Sequence, residues 1–306
     1  MRTDVRTRLD AQFDDFSIIN QVHDVPPHEV FAVTVDGERA LYKGSVGPTG
    51  KAGIEGRVMR LLGTETTVPV PPIKLIGEDW YLAEWDDSAP DPDESGTADV
   101  SWASAAGRGV ATLHEESAAL VDQYGHLRPD GDGVIVEGHD GWHAAAIDYV
   151  RERRPVLAEY GHEDIADAVL ELFGDQPDAF EHADEPVICH GWATPEHVAV
   201  DEEMVSCFVD WEHVLAAPGE WDYLRTIGPA FGPEYDGAAA LAFQEGYESV
   251  RQFHEGFERC RPYYQLLNGV YYFESLYVQN QHDDEETERR ANRLREQVHT
   301  LIDEVA

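Results

Sequence analysis

Two short stretches between residues 186 and 223 concentrate side chains that can hold a cation or move a proton. The first, His190–His197, contains Glu196, and the second, Asp210–His213, contains Glu212. Imidazole and carboxylate groups act as general acids and bases, and carboxylates also bind hard metal ions. The segment is therefore the first candidate for a catalytic or cation-binding site.

Three short apolar runs must position these stretches. They are Val187 to Cys189, Val198 to Val200 and Val205 to Val209. Runs of this length, bounded by glycine, proline and acidic residues, are typical of buried β-strands. The acidic residues 201–203 supply the turn between the second and third runs. The candidate residues therefore lie at the two ends of a small predicted hairpin.

The order and spacing of this segment resemble the aminoglycoside phosphotransferase and choline kinase family, whose members are related to the protein kinases. The family typically carries a loop His-Gly-Asp-x-His-x-x-Asn, then two strands and an Ile-Asp-Trp-Glu type motif. Here residues 190–197 read His-Gly-Trp-Ala-Thr-Pro-Glu-His, and residues 209–212 read Val-Asp-Trp-Glu. In the family the loop Asp accepts the proton of the substrate hydroxyl, and the loop Asn and the later Asp bind magnesium. The resemblance implies that Trp192 replaces the first, His197 replaces the second, and Asp210 is kept.

These replacements change which residues can carry the chemistry. The candidate catalytic residues become His190, Glu196 and Glu212, the two glutamates as replacement bases. The candidate metal ligands are Asp210 and His197, although magnesium prefers oxygen ligands and imidazole suits softer metals. Asp222 matches the family's Asp that anchors the loop.

The N-terminal part of the chain supplies candidate nucleotide-binding residues. A kinase-type site needs a lysine on a strand to hold the phosphates and a glutamate on a helix to orient that lysine. A tight Asp-Gly turn joins two predicted strands, and Lys43 ends the second of them. It is one of only three lysines among the 22 lysine and arginine residues. Glu55 lies in the first turn of a predicted helix, Gly53–Leu62. The resemblance places Glu84 in the hinge between lobes and implies ATP and magnesium as cofactors.

The resemblance implies an α+β fold of the bilobal protein-kinase-like type. A small β-rich N-lobe is expected over residues 1–85 and a larger, mainly helical C-lobe over residues 86–306. The boundary falls at an acidic stretch, 86–99, that has the composition of a solvated linker. Helices are expected near 101–116, 142–152, 163–173, 238–257, 264–278 and 285–305, and a loop or hairpin over 124–141. Tyrosines are dense between 263 and 277, where they form core or line an acceptor pocket.

The amino-acid composition indicates where the protein works and which binding partners it can have. The net charge is −39 over 306 residues, and acidic residues occur along the whole length. This pattern is expected of a cytoplasmic protein from a salt-loving organism, and it disfavours binding to nucleic acid or to anionic membranes. Cys189, Cys207 and Cys260 are an odd, scattered set and are expected to be buried free thiols. The expected partner is a small-molecule substrate.

Three functions remain open at this point. The leading one is an ATP-dependent small-molecule phosphotransferase of atypical mechanism. The alternative is a catalytically inactive pseudokinase that acts as a ligand-binding or regulatory module. It gains weight from the turn expected to cover the nucleotide, 23–29, which holds two prolines where the family has glycine and serine. The third is a metal-binding protein using His190, His197 and His213.

Overall fold

A five-stranded antiparallel sheet forms the N-terminal part of the chain. The computed structural model describes residues 2–25, 27–46, 50–90, 96–232, 237–279 and 281–306. The strands are β1 (Phe16–Val25), β2 (His28–Val35), β3 (Glu38–Ser45), β4 (Ile73–Ile76) and β5 (Trp80–Glu84), in the order β1-β2-β3-β5-β4. The predicted turn between β2 and β3 has φ of 51° at Asp36 and 83° at Gly37, the left-handed pair that a tight hairpin needs.

Two helices cover this sheet. Helix α1 (Arg2–Asp10) places Val5 and Leu9 in a small core with β2 and β3. Helix α2 (Ala52–Glu65) buries one face, including Val58 and Leu62, in the larger core that continues into the rest of the molecule. The predicted helix at 53–62 is confirmed, and it carries Glu55 on its buried face.

The rest of the chain is mainly helical. Its helices are α3 (Val100–Ser117), α4 (Trp142–Glu159), α5 (Glu163–Asp175), α6 (Gly219–Phe231), α7 (Ala238–Glu248), α8 (Phe257–Val278) and α9 (Asp284–Val305). The strands β6 (Tyr124–Asp130), β7 (Gly133–His139), β8 (Pro186–Cys189) and β11 (Leu215–Pro218) form one sheet, ordered β7-β6-β11-β8. The predicted hairpin is β9 (Val198–Asp201) with β10 (Met204–Phe208).

The predicted α+β class is confirmed, with a β-sheet N-terminal region and a helical C-terminal region. One predicted helix was wrong, because the segment 238–257 is not continuous: α7 ends at Glu248 and α8 begins at Phe257. Part of the expected linker (91–95) and part of the expected nucleotide-covering turn (residue 26) lie outside the described residues. The lobe boundary at residue 85 stays a prediction.

Two further expectations concern the chain as a whole. The three cysteines are free and buried, as predicted. Among the described residues, none of the helices has an apolar stretch that could cross a membrane.

Candidate active site

Lys43 links three distant parts of the sequence. It lies on the central strand β3, between β2 and β5, and its side chain is only 7% exposed. Its Nζ donates to Glu55 Oε2 at 2.7 Å and to Asp210 Oδ1 at 2.6 Å. Burial alone would lower the pKa of this ammonium group, but the two carboxylates outweigh burial and raise the pKa well above its ordinary value. Lys43 is therefore a fixed cation at the edge of the candidate site.

Asp210 has a backbone conformation that marks the site. Its φ of 64° lies in the left-handed region, which non-glycine residues adopt at a cost and which recurs at functional sites. Its second carboxylate oxygen, Oδ2, is 3.2 Å from His197 Nε2. Burial opposes ionisation of Asp210, but Lys43 and His197 outweigh it and hold the pKa of the carboxyl well below its usual range. The ring of His197 is oriented by its other nitrogen, Nδ1, which donates to the Trp192 carbonyl at 3.0 Å.

The loop at 190–197 is anchored by a buried aspartate. Asp222, in the first turn of α6, accepts the backbone N–H of His190 at 2.8 Å and of Gly191 at 2.7 Å. It is itself held by His114 Nε2 at 3.0 Å. Gly191 has a φ of 82°, so this position requires glycine. Asp222 therefore anchors the loop, as the resemblance implies.

Both ring nitrogens of His190 are hydrogen-bonded to backbone groups. Its Nε2 donates to the Val209 carbonyl at 2.9 Å, and its Nδ1 accepts the Trp192 N–H at 3.3 Å. The residue is completely buried, and burial lowers the pKa of its imidazole to about 4. A neutral, buried ring with both nitrogens occupied braces the loop. The geometry gives no support to a direct chemical role.

Two histidines flank Glu212: His28, and His213, which the sequence suggested only as a metal ligand. His28, at the start of β2, lies with its Nδ1 3.0 Å from Glu212 Oε2. Its Nε2 accepts the Lys51 backbone N–H at 3.1 Å and lies 3.3 Å from Glu55 Oε1. His213 Nε2 lies 3.2 Å from Glu212 Oε1. The sequence carried one signal for each: His213 directly follows the Asp-Trp-Glu motif, and His28 lies in the turn expected to cover the nucleotide. The contact of His28 with Glu212 could not be predicted, because the two residues are far apart in the sequence.

Trp192 stands in an aromatic cluster at the position that the family gives to its base. Its ring is 5.8 Å from the Tyr271 ring and 6.1 Å from the His213 ring, centroid to centroid. Arg225, from α6, is 1% exposed, donates to the Gly191 carbonyl at 2.9 Å and lies 3.6 Å from the Tyr271 ring centroid. Of the dense tyrosines in α8, Tyr271 and Tyr272 therefore face this cluster.

The remaining predicted site residues lie farther out. Glu196 is exposed on the loop beside His197. Glu84 is half exposed and pairs with Lys74 at 3.3 Å, on the surface rather than with Lys43. Within the described residues, the side chains close enough to share a metal ion are His114, Cys189 and Asp222. The structure does not bring His190, His197 and His213 together in this way, so the metal-binding hypothesis that used them was wrong.

A recess of about 310 Å³ is lined by residues of helix α4, the β6-β7 hairpin and β11, and not by the candidate site residues named above. Helix α4 supplies Trp142, Tyr149 and Glu152, the β6-β7 hairpin supplies polar residues, and Leu215 of β11 closes it. Its acidic groups are neutralised locally, since Glu152 pairs with His126 at 2.6 Å.

Comparison with known proteins identifies the family of the chain. Residues 29–263 match the model of the APH family, described as the phosphotransferase enzyme family. The chain belongs to this phosphotransferase family. The matched residues include Lys43, Asp210 and His213, whereas His28 and Tyr271 lie outside the match.

Solved structures share the family's fold over nearly the full length. One is aminoglycoside phosphotransferase APH(4)-Ia in complex with ADP and hygromycin B, at 12% identity, with 98% of each chain covered and a TM-score of 0.64. Another is described as a fructosamine-3-kinase, from Thermobifida fusca, at 16% identity, 97% and 98% coverage and a TM-score of 0.65. At these identities the likeness shows the kinase-like fold alone. Among curated proteins, no sequence matches this chain.

Proposed function

We propose that this phosphotransferase-family protein is an ATP-dependent small-molecule phosphotransferase of atypical mechanism. The proposal rests on two ion pairs of the Lys43 side chain, whose Nζ lies 2.7 Å from Glu55 Oε2 and 2.6 Å from Asp210 Oδ1. A lysine held by a helix glutamate, next to a metal-binding aspartate, is the arrangement that positions nucleotide phosphates in kinases. Lys43 binds the phosphates and Glu55 orients it.

The residues present fit a divalent cation. Asp210 offers hard carboxylate oxygens, and a cation bound there neutralises charge on the nucleotide phosphates. His197 donates through Nδ1 to a backbone carbonyl, which leaves Nε2 aimed at the same carboxylate. Histidine ligands of metals are commonly oriented in this way. Asp210 and His197 are therefore the groups that would hold the metal, with an imidazole where magnesium sites usually have oxygen.

The pseudokinase alternative rests on a specific observation. Trp192 fills the base position, and both oxygens of Asp210 already have partners, Lys43 on Oδ1 and His197 near Oδ2. A protein that had abandoned catalysis could keep this closed cluster for stability. Absence of nucleotide binding would favour the pseudokinase, because a phosphotransferase must open the cluster to ATP.

The test is thermal unfolding in molar KCl, with and without ATP and magnesium, on the wild type and on Asp210→Asn. We expect the midpoint of the wild type to rise with nucleotide, because a ligand that binds only the folded state stabilises it by mass action. Asp210→Asn removes the carboxylate charge, so the magnesium-dependent part of the rise should disappear.

A surface carboxylate provides the matched control. Glu38 pairs with Lys74 at 2.8 Å and is 71% exposed, so Glu38→Gln changes the same charge away from the site. This variant should keep the full nucleotide-dependent rise. Absence of any shift in the wild type at millimolar ATP would contradict the proposal and favour the pseudokinase.

A further inference from the structure

We propose that His213 accepts the proton of the acceptor hydroxyl, in place of the aspartate that Trp192 replaces. The inference rests on the proposed function and names a catalytic residue for it. His213 follows Asp210 by three residues, in the turn between β10 and β11.

The ring of His213 stands directly against the loop that carries the base in the family. A Cβ atom on Gly191 would lie 2.7 Å from the His213 Cβ and 2.6 Å from its carbonyl oxygen. Trp192, the next residue, has its ring centroid 6.1 Å from that of His213. The His213 side chain is 24% exposed, so it is open to a small molecule. An imidazole therefore occupies the neighbourhood from which the carboxylate is missing.

The contacts of His213 fix which nitrogen can accept a proton. Nε2 lies 3.2 Å from Glu212 Oε1 and 3.1 Å from the Tyr271 hydroxyl. Because an ionised carboxylate only accepts hydrogen bonds, Nε2 carries the hydrogen of the neutral ring. Within the described parts of the chain, the hydrogen bonds and ion pairs of His213 all involve Nε2, so the lone pair on Nδ1 has no protein partner.

The surroundings keep this ring neutral and ready to accept a proton. Burial lowers the pKa of His213 and Arg225 lowers it further, while Glu212 and Asp210 oppose them without reversing the shift. Tyr271 is the other titratable group in contact with the ring. A base must be unprotonated before it can accept a proton.

Glu212 is better suited to position His213 than to act as the base itself. Its two oxygens lie beside His28 and His213, at 3.0 and 3.2 Å. Each carboxylate oxygen of Glu212 is thus already engaged by a histidine ring nitrogen, which leaves His213 as the group with an acceptor position that no described residue occupies. Once His213 is protonated, the adjacent carboxylate stabilises the imidazolium charge.

Atoms and charge balance in the transfer of the γ-phosphoryl group to the acceptor. The acceptor oxygen forms a bond to the γ-phosphorus of ATP, and the bond from that phosphorus to the bridging oxygen breaks, releasing ADP. The proton of the acceptor hydroxyl moves to His213 Nδ1 and then to solvent. Water can take the place of the acceptor, so the step is measurable as slow ATP hydrolysis before the natural substrate is known.

The experiment measures ATP affinity by calorimetry and phosphate release with magnesium, on the wild type, His213→Ala and His213→Gln. We expect unchanged affinity and a fall in hydrolysis of about 10²-fold, the usual contribution of a general base. Added imidazole should restore part of the rate in His213→Ala but not in the wild type. Glutamine can donate to Glu212 as Nε2 does, so His213→Gln keeps the local packing while lacking the base.

The outcomes separate this inference from the proposed function. His143→Ala is the control, since that histidine bonds to the Phe173 carbonyl in the helical region and should leave hydrolysis unchanged. If both His213 variants bind ATP and hydrolyse it at the wild-type rate, the inference is overturned and the proposed function stands. If the wild type binds ATP without hydrolysing it, His213 is not a base. If the wild type does not bind ATP, both fail.

Discussion

Individual histidines in this site have different roles because their hydrogen bonds differ. His190 is buried with both ring nitrogens hydrogen-bonded, and His197 lies beside Asp210. Among the described residues, Nδ1 of His213 has no hydrogen-bond partner. Sequence could predict Lys43 and Asp210, because each comes at the end of a predicted strand inside a recognisable motif. It could not predict the roles of the histidines, because those depend on carbonyl groups and carboxylates that only the fold brings near.

Because His190 is buried, we expect the free energy of unfolding to depend on pH. Its pKa is about 4 in the folded protein and 6.5 in the unfolded chain, so the unfolded chain binds the proton first as pH falls. Its contribution to stability is therefore complete above 6.5 and is lost as pH falls towards 4, by about 3 kcal/mol in total. We expect His190→Gln to lose less stability than the wild type over this range, in denaturant titrations at each pH.

Other groups also titrate in this range, so the comparison is between the slopes of the two proteins. Glutamine can still donate to the Val209 carbonyl, which preserves the loop. Identical pH dependence in the two proteins would show that His190 is not buried in its neutral form.

At the scale of elements, glycine allows two helices to approach closely. A Cβ atom on Gly107 of α3 would lie 2.1 Å from the Phe243 carbonyl of α7, and one on Gly246 of α7 would lie 2.3 Å from the Ser104 carbonyl of α3. The backbones of these helices therefore touch. This contact holds α7 behind α3, whose last turn carries His114, the partner of Asp222.

The close approach predicts opposite effects for two glycine substitutions. Gly107→Ala should destabilise the protein by about 1–3 kcal/mol, the usual cost of overpacking, because backbone atoms cannot move aside. Gly174→Ala, in α5, meets no atom within 4 Å and should be neutral or stabilising, since alanine is favoured over glycine in helices by about 1 kcal/mol. Chemical denaturation measures both. Equal effects would show that α3 and α7 are not in backbone contact.

The periodicity of apolar residues predicted most helices and strands. It missed helices that bury polar side chains or have few apolar residues. Helix α6 buries Glu220, Asp222 and Arg225 along with its apolar residues, so it has no clear polar face to recognise. Helix α1 is strongly polar and has only Val5 and Leu9 to bury. The overlong helix at 238–257 arose because apolar residues continue past Glu248, whereas the structure turns there before α8.

At the scale of the whole molecule, the net charge of −39 predicts a strong response to salt. Repulsion between exposed carboxylates destabilises the compact state, and the screening length falls from about 10 Å at 0.1 M salt to about 3 Å at 1 M. We expect the melting midpoint to rise with KCl over this range. An uncharged osmolyte at equal osmolality is the control, and an equal rise in both would show that screening is not the cause.

The central claim is that the cluster of Lys43, Glu55 and Asp210 transfers phosphate from ATP. The most direct measurement follows ADP formation from ATP and magnesium in molar KCl, by ³¹P NMR, for the wild type, Asp210→Asn and the control Glu38→Gln. We expect slow ADP formation in the wild type and the control, and none in Asp210→Asn. Turnover that is equal in all three, or absent from a wild type that binds ATP, would contradict the claim.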